Sequence, residues 1–188
     1  MAKGRLELAK EDEDPDHLAA VGRALDRMDE IIEDVLALTW GNQDLDEDDL
    51  EACALAELAE GPWDHVDVSE ATLEVEARPI IKADEGQLQR LLENLFRNSV
   101  EHGGETVTVW VGALDDGFFV EDDGPNIPEE KRDKVFETGY SSEEEGTGLG
   151  LNIVQTIAEA HGWTFSLTTG RDGGARFEVR GVEMSSPS

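Results

Sequence analysis

The chain has 188 residues, with 45 Asp and Glu against 15 Lys and Arg, and so carries a formal net charge of −30. This length allows one well-packed domain with an appendage, and it excludes two full-sized domains. The acidic residues are spread along segments that keep regular apolar periodicity. They therefore predict a charged coat on a folded body and exclude a disordered acidic protein.

The charge also indicates where such a protein works and what it avoids. Salt at about 1 M shortens the Debye length to about 3 Å and screens the repulsion within the coat. We therefore expect a protein of a halophilic, salt-rich cytoplasm. Duplex nucleic acid and anionic membranes are disfavoured as partners, because they carry charge of the same sign.

Cysteine and apolar content exclude further classes. Cys53 is the only cysteine, which excludes a disulfide framework and a cysteine-based metal site. The amino terminus lacks the apolar core of a signal peptide, and no apolar run reaches the roughly 20 residues of a membrane span. We expect a soluble, cytoplasmic chain without membrane contact.

The first predicted element is an amphipathic helix over about 16–40. Its apolar residues alternate at spacings of 3 and 4 and form a heptad seam: Leu18, Val21, Leu25, Met28, Ile32, Val35 and Thr39. Asp16 is a candidate N-cap, and "KGRLELAK" before the turn "EDEDPD" is typical of the end of another helix. A helical hairpin cannot bury such a seam alone, so we expect a homodimer; the alternative is packing on the following domain.

After "TWGNQDLDEDD" the pattern becomes mixed. A helix is predicted over 49–60, and a long one over about 84–102. Strands are predicted over 71–77, 79–83, 105–114, 117–122, 163–170 and 175–183, with a turn "RDGG" in the last hairpin. Residues 123–148 are expected to be irregular, with a helix directly after them. This order predicts an α+β fold, a two-layer sandwich with helices on one face of a mostly antiparallel sheet.

Two asparagines stand out on the long helix. Its predicted apolar face comprises Leu88, Leu91, Leu92, Leu95, Phe96 and Ser99. Asn94 and Asn98 lie together at the edge of this face, so they present two amide oxygens to one place. Amide oxygens suit Mg²⁺ where phosphates complete its shell. The alternative is two solvated helix asparagines.

The stretch "VEDDGPNIP" ends a strand with an acidic residue. Asp122 stands where the apolar alternation finishes, so its carboxylate is expected to point inward. A buried carboxylate needs a donor, and the exocyclic amine of adenine is a suitable one. Gly124 lets the backbone turn away tightly; a simple turn is the alternative.

The stretch "EEEGTGLGLNIV" places three glycines against a helix start. The first turn of a helix has unpaired N–H groups and partial positive charge, and glycines let a phosphate approach them. No Gly-Lys-Ser/Thr follows, which excludes a P-loop. No strand leads into Gly146, which excludes a Rossmann motif.

Taken in order, these motifs resemble the ATP-binding catalytic domain of sensor histidine kinases. Asn94 and Asn98 are similar to the N box, Asp122-x-Gly124 to the G1 box, and Gly146-x-Gly148-x-Gly150 to the G2 box of the Bergerat fold. "KVFETGY", around Phe136, is similar to the F box of the lid, and the first helix resembles the second helix of the dimerisation and phosphotransfer hairpin. The acidic surface resembles haloarchaeal members.

The resemblance implies domains, cofactors and roles. It assigns 1–42 to a partial hairpin, 43–183 to the ATP-binding domain and 184–188 to a tail. ATP would be bound with Mg²⁺, which Asn98 would hold with Asn94 assisting, and both asparagines would serve catalysis. Adenine would bind at Asp122. The nucleotide-binding residues would be Asn98, His102, Asp122, Gly124, Ile127, Gly146, Thr147, Gly148, Leu149, Gly150 and Leu151.

The resemblance also implies a phosphorelay, but the phosphoacceptor is missing. The γ-phosphoryl group would pass to a histidine and then to the receiver domain of a response regulator. None of the four histidines occupies the acceptor position: His17, His65, His102 and His161. We expect a fragment of a longer kinase, which would not autophosphorylate alone; the alternative is a protein that has lost autophosphorylation.

Three departures concern the phosphates. Asn126 stands where the G1 box usually has a second glycine, and asparagine tolerates a left-handed backbone. Glu101 and Glu143 stand where relatives often have lysine. The triphosphate charge would therefore be met by Mg²⁺, by the backbone N–H groups of 148–151 and by Arg97.

Asn94 separates subfamilies of this fold. ATP-hydrolysing relatives have a glutamate at this position to orient water, and neighbouring Glu93 points elsewhere on the helix. A histidine is already a nucleophile when neutral, so a kinase needs no such glutamate. Two alternatives stay open: a serine kinase of the anti-sigma type, and a non-catalytic ATP-gated dimerisation module.

Overall fold

The computed structural model describes residues 22, 25, 28, 31, 32, 45, 47–65, 70–104, 106–132, 134–136 and 148–185. The chain divides into two units, Met1–Thr39 and Trp40–Ser188. Among the described helices, none combines the length and apolar character needed to cross a membrane.

In the first unit, five described positions are helical, as predicted: Gly22, Leu25, Met28, Ile31 and Ile32. The seam residues Leu25, Met28 and Ile32 are 54%, 54% and 55% exposed. These three side chains thus form an exposed apolar face on the described part of the helix. Asp16 and the other seam residues lie outside the described positions.

The described elements of the second unit follow one another in a mixed order. They are β1 (Glu51–Ala54), α1 (Leu55–His65), β2 (Thr72–Val75), β3 (Ile80–Ala83), α2 (Glu85–Gly103), β4 (Thr108–Leu114), β5 (Gly117–Asp122), α3 (Glu129–Arg132), α4 (Gly150–Ala160), β6 (Thr164–Thr169), β7 (Ala175–Arg180) and β8 (Met184–Ser185). Two 3₁₀ turns, Glu47–Asp49 and Lys134–Phe136, complete them.

The strands form two sheets. The larger has the order β2-β4-β5-β7-β6, in which only the β2–β4 pair is parallel. The smaller has the order β1-β3-β8 and is antiparallel. The prediction of an α+β fold with a mostly antiparallel sheet is confirmed, and the separate small sheet is an addition to it.

The larger sheet has an apolar inner face and a polar outer face. Alternate residues of β4 and β7 are fully buried on the inner face: Val109, Val111, Phe177 and Val179. Successive side chains of a strand point to opposite faces, so the residues between them lie on the outer face. β5 is buried along its whole length. Side chains on both of its faces are therefore covered by other residues.

Helix α2 is the central helix of the unit and contacts α1, α4 and β5. It begins where the Asp84 side chain accepts a hydrogen bond from Gln87 N at 2.8 Å, which caps the first turn. It ends at Gly104, whose φ of 92° favours glycine. All six residues of its predicted apolar face are buried, as is Asn94.

The predicted helix over 49–60 is wrong in its first half. Residues 51–54 form β1, and the helix begins only at Leu55. Cys53 pairs with Ile81, and Glu51 with Ala83, across the small sheet. Alanine and glutamate favour a helix locally, but pairing with a distant strand outweighs that preference. The segment 123–148 also contains α3 and the turn Lys134–Phe136, both short.

Candidate functional site

Asp122 is a buried carboxylate at the end of β5, as the sequence predicts, and its side chain is 4% exposed. Its Oδ2 accepts a hydrogen bond from Ser99 Oγ of α2 at 3.1 Å. Its Oδ1 accepts from the backbone N–H groups of Gly124 at 3.0 Å and Ala175 at 3.2 Å. All three donors are neutral.

Burial raises the pKa of Asp122 above its ordinary value, even though the donors from Ala175, Ser99 and Gly124 oppose the rise. Asp123 adds to the rise through its own negative charge. A carboxylate without a cation in a poorly solvated position favours its neutral form. An additional donor, such as an amine of a ligand, would stabilise the ionised form.

The turn after Asp122 fits directly against the end of α2. A Cβ atom at Gly124 would lie 2.6 Å from Gly103 Cα and 3.1 Å from Asp122 Oδ1. Backbone cannot move away as a flexible side chain can, so only glycine fits here. The two motifs around Asp122 and on α2 are thereby held together.

Asn94 joins α2 to the start of α4. Its Nδ2 donates to Arg90 O at 2.8 Å, and its Oδ1 accepts from Arg97 Nη2 at 2.8 Å. A Cβ atom at Gly150, the first residue of α4, would lie 3.2 Å from the same Oδ1. The Asn94 amide therefore sits between Arg97 and the glycine-rich helix start.

Asn98 and His102 follow Asn94 along α2 at intervals of four residues, so the three lie along one side of the helix. Asn98 is half-buried, and His102 is exposed in the last turn. The described residues contain no cluster of three or more His, Cys, Asp or Glu that could hold a metal ion. A cation held by the described residues of this site would depend on an amide oxygen and on a ligand.

At the start of α4, no side-chain cap is present among the described residues. Leu149 occupies the N-cap position and makes no side-chain capping hydrogen bond. Gly148 has a φ of 67°, a conformation in which glycine is strongly favoured. Gly148, Leu149, Gly150 and Leu151 are all partly exposed. Gly146, Thr147 and Glu143 lie outside the described residues.

The turn carrying Ile127 is held by Asn126 and by two residues that the sequence did not single out, Arg132 and Thr169. Arg132 of α3 donates from Nε to Ile127 O at 3.1 Å and from Nη2 to Thr169 Oγ1 at 2.7 Å. Asn126 donates to Thr169 Oγ1 at 3.1 Å and accepts from Arg132 Nη2 at 3.2 Å. Asn126 thus ties this turn to the end of β6, a role that glycine could not perform.

Phe136 is anchored to the larger sheet and to α4. Its ring packs edge-to-face on Phe165 of β6, with centroids 5.5 Å apart. Its carbonyl accepts a hydrogen bond from Asn152 Nδ2 of α4 at 3.0 Å. The end of the segment that precedes the undescribed residues 137–147 is therefore fixed on the body of the unit.

His161 has a structural role. Its Nε2 accepts from Asp84 N at 3.1 Å, so Nδ1 carries the proton and donates to Ile157 O at 2.8 Å. The ring stacks on Trp163, with centroids 4.1 Å apart. Burial lowers the pKa of His161, and the imidazole stays neutral while it links the starts of α2 and β6.

Sequence reasoning missed Ser99, Ala175 and the glycines of the last hairpin as parts of the site. Ser99 is the one polar residue of the predicted apolar face of α2, and that was an available signal. Ala175 contributes only its backbone N–H. A Cβ atom at Gly174 would overlap the carbonyl oxygen of Asp122, but such a contact between distant positions leaves no local pattern.

Comparison with known proteins agrees with this arrangement. Residues 83–183 match the family model described as histidine kinase-, DNA gyrase B- and HSP90-like ATPase. The sensor histidine kinase GtrS of Pseudomonas aeruginosa is 36% identical over 100 residues, which are 50% of this chain and 20% of GtrS. The match thus spans about a fifth of the length of that curated relative.

Two solved structures are similar in fold. The ATP-binding domain of PrrB from Mycobacterium tuberculosis is 28% identical, with a TM-score of 0.55 over 74% of this chain and 99% of that one. Full-length ShkA, solved in complex with AMPPNP, is 25% identical, with a TM-score of 0.67 over 93% of this chain and 40% of that one.

Proposed function

Since the chain belongs to the histidine kinase-, DNA gyrase B- and HSP90-like ATPase family, we propose that it is the ATP-binding catalytic region of a sensor histidine kinase. The observation that carries the proposal is the convergence of three motifs on α2. Ser99 meets Asp122, Gly103 meets Gly124, and Asn94 meets Gly150. The coarser conclusion, an ATP-binding domain of the histidine kinase type, rests on the family together with the sensor histidine kinase relatives.

Adenine binds at Asp122 in this proposal. The carboxylate is buried, holds three neutral donors and has a raised pKa, so the exocyclic amine of adenine supplies the donor that favours ionisation. Ile127 and Leu149 pack near the base. The phosphates meet the backbone N–H groups of Gly148–Leu151 at the start of α4.

Mg²⁺ fits this site through amide oxygen and phosphate rather than through a carboxylate cluster. Asn98 would be its protein ligand, with Asn94 assisting, and phosphate oxygens of the nucleotide would supply further ligands. Asn94 Oδ1 already accepts from Arg97, so Asn94 acts chiefly by placing that guanidinium beside the phosphates. When bound, the ion neutralises charge that develops on the γ-phosphoryl group during transfer.

The chain's own residues bind and orient the donor nucleotide for attack by a histidine. Neutral imidazole attacks directly, so no residue of α2 needs to activate water, and an amide at position 94 suits transfer to a side chain better than hydrolysis. The phosphoryl group then passes to an aspartate on a receiver domain. A cytoplasmic, salt-rich location fits the charge of −30.

The exposed apolar face at Leu25, Met28 and Ile32 supports a homodimer formed through the first unit. On this view 1–42 is part of a dimerisation hairpin and 43–183 the ATP-binding domain. Leu25→Asp then shifts the sedimentation equilibrium towards monomer, whereas Ile31→Asp, outside the seam and 39% exposed, leaves it unchanged. Equal effects of the two variants would contradict a seam-mediated dimer.

Phosphoryl transfer separates a kinase from a non-catalytic ATP-gated module. The test supplies a phosphoacceptor hairpin from a sensor histidine kinase in trans, with radiolabelled ATP and Mg²⁺ in concentrated KCl. The proposal predicts acid-labile label on the hairpin with the unaltered chain and none with Asn98→Ala. ATP binding without any label on the hairpin would favour the non-catalytic module, and acid-stable label would favour a serine kinase.

A further inference from the structure

An ion cluster around the buried carboxylate of Glu121 lies on the outer face of the larger sheet, behind Asp122. Glu121 precedes Asp122 on β5 and points to the opposite face. Its side chain is 0% exposed. Oε1 accepts from Arg171 N and Arg171 Nε, both at 2.8 Å, and Oε2 accepts from Arg176 Nη1 at 2.6 Å. The proposed nucleotide site uses none of these groups.

Arg171 is held on both sides. Its terminal nitrogens pair with the carboxylate of Glu76, with Nη2 at 2.8 Å from Oε2. Its guanidinium also lies 5.1 Å from the centre of the Trp110 ring, within cation–π range. Arg171 therefore connects three places in the sheet. Its side chain contacts Glu76 just after β2 and Glu121 on β5, and its backbone lies in the turn between β6 and β7.

That turn, residues 170–174, reaches round the strand to the nucleotide side. It is closed by Gly170 N donating to Gly174 O at 2.9 Å. A Cβ atom at Gly170 would lie 2.8 Å from Glu121 Cγ, and one at Gly174 would overlap Asp122 O. The residue that follows the turn is Ala175, whose N–H is a donor to Asp122 Oδ1.

Resting on the function proposed above, we infer that Glu121 and Arg171 are positioning residues for adenine recognition. They clamp the turn 170–174 against β5, and the clamped turn keeps the Ala175 N–H on the Asp122 carboxylate. A loosened turn lets that carboxylate rotate away from the base. The affinity for the adenine ring then falls more than the affinity for the phosphates, which lie at the start of α4.

The nucleobase isolates this effect from a general loss of structure. ITP carries a carbonyl oxygen where ATP has its exocyclic amine, so this ring position sets an acceptor against the carboxylate and loses the hydrogen bond that depends on the placement of Asp122. The ratio of ATP to ITP affinity therefore reports the placement of Asp122. A purely structural defect would lower both affinities together and leave the ratio unchanged.

Arg171→Met and Arg180→Met form a matched pair. Both remove one guanidinium from the same sheet face, and the two side chains are 39% and 43% exposed. Arg180 pairs with Asp116 and Glu178 at the end of β7 away from the turn. Glu76→Gln provides a milder second variant, because it weakens the hold on Arg171 without removing the pair with Glu121.

Calorimetric titration of the 188-residue chain with Mg-ATP and Mg-ITP in concentrated KCl tests the inference. We expect the unaltered chain to prefer ATP by about 10-fold or more, Arg171→Met to lower that ratio about 5-fold, and Glu76→Gln to lower it less. Arg180→Met should keep the ratio within about 2-fold of the unaltered chain.

Either of two results would overturn the inference, and each points to a different cause. A ratio in Arg171→Met and Glu76→Gln equal to that of the unaltered chain would show that the cluster does not position Asp122, while adenine recognition stands. No preference for ATP in the unaltered chain would refute adenine binding at Asp122 itself, and the positioning role with it.

Discussion

Glu121 and Asp122 are neighbours on β5, both buried, and they have opposite acid–base behaviour. Burial would raise the pKa of each. At Glu121 the hydrogen bonds from Arg171 and Arg176 outweigh burial and hold the pKa below its usual value. At Asp122 the donors are neutral, burial prevails and the pKa is raised. The partner, rather than burial itself, decides the sign.

The difference shows that Glu121 is fully paired within the protein, whereas Asp122 can still gain a donor from a ligand. Glu121 has cations on both oxygens and nothing further to gain from binding. Asp122 would gain from any donor that favours its ionised form, and it lies where α2, β5 and the turn before β7 converge. A buried carboxylate without a cation is thus a better indicator of a binding site than a buried carboxylate as such.

The largest expected effect is the loss of stability caused by a substitution at Glu121. Glu121→Gln replaces a fully buried carboxylate by an amide, which sets a donor against one of the two arginines and removes the negative charge that both of them contact. We expect it to lower the free energy of unfolding by about 3 kcal/mol, measured by urea denaturation in concentrated KCl. Glu183→Gln, at an exposed position, should change it by less than about 0.5 kcal/mol; similar losses in both would contradict a special role for the cluster.

A smaller loss of stability is expected from a substitution next to Asp122. Gly124→Ala forces a Cβ atom against Gly103 Cα and displaces the N–H that donates to Asp122. It should destabilise the fold by about 2 kcal/mol and weaken ATP binding. Gly86→Ala is the control: it is exposed in the first turn of α2, and its new methyl group makes only an ordinary contact, 3.5 Å from Asp84 Oδ1, so it should add about 0.5–1 kcal/mol of stability. Unchanged ATP affinity in Gly124→Ala would contradict the proposed site.

The smallest expected effect is the pH dependence of stability, to which the two carboxyl groups contribute with opposite signs. Because the pKa of Asp122 is raised on folding, the folded state binds the extra proton, and stability from this group falls as pH rises through the range between its unfolded and folded values. For Glu121, whose pKa is lowered, stability is gained as pH rises above its folded value and is complete above its unfolded value.

Difference measurements against the unaltered chain reveal the two signs, since the other carboxylates cancel. Between pH 4 and pH 6, on the order of the ordinary carboxyl range, Asp122→Asn should gain stability relative to the unaltered chain as pH rises. Glu121→Gln should lose stability relative to the unaltered chain as pH rises towards the unfolded value of Glu121, about 4.3, and should change little above it. Slopes of the same sign in both variants would refute the opposite roles of the two carboxylates.

Sequence reasoning found the residues whose patterns are local. The 3.6-residue period of α2 correctly placed Leu88 to Ser99 inside, and the strand alternation correctly turned Asp122 inward. It missed β1, because residues 51–54 are strand only through their pairing with β3. It also missed the bond between Glu121 and Arg171, which joins positions 50 residues apart. In the sequence, "RDGG" reads only as a turn, and its contact with Asp122 depends on the folded sheet.

The most direct test of the account is calorimetric ATP binding in concentrated KCl, with and without Mg²⁺, to the unaltered chain, Asp122→Asn and Asp123→Asn. The two variants make the same chemical change at adjacent residues. Asp123 is exposed, and its Oδ1 accepts from Thr108 N, a bond that asparagine can keep. The account predicts Mg²⁺-dependent binding that Asp122→Asn abolishes and Asp123→Asn retains. Equal binding by all three proteins, or none by the unaltered chain, would contradict adenine recognition at Asp122.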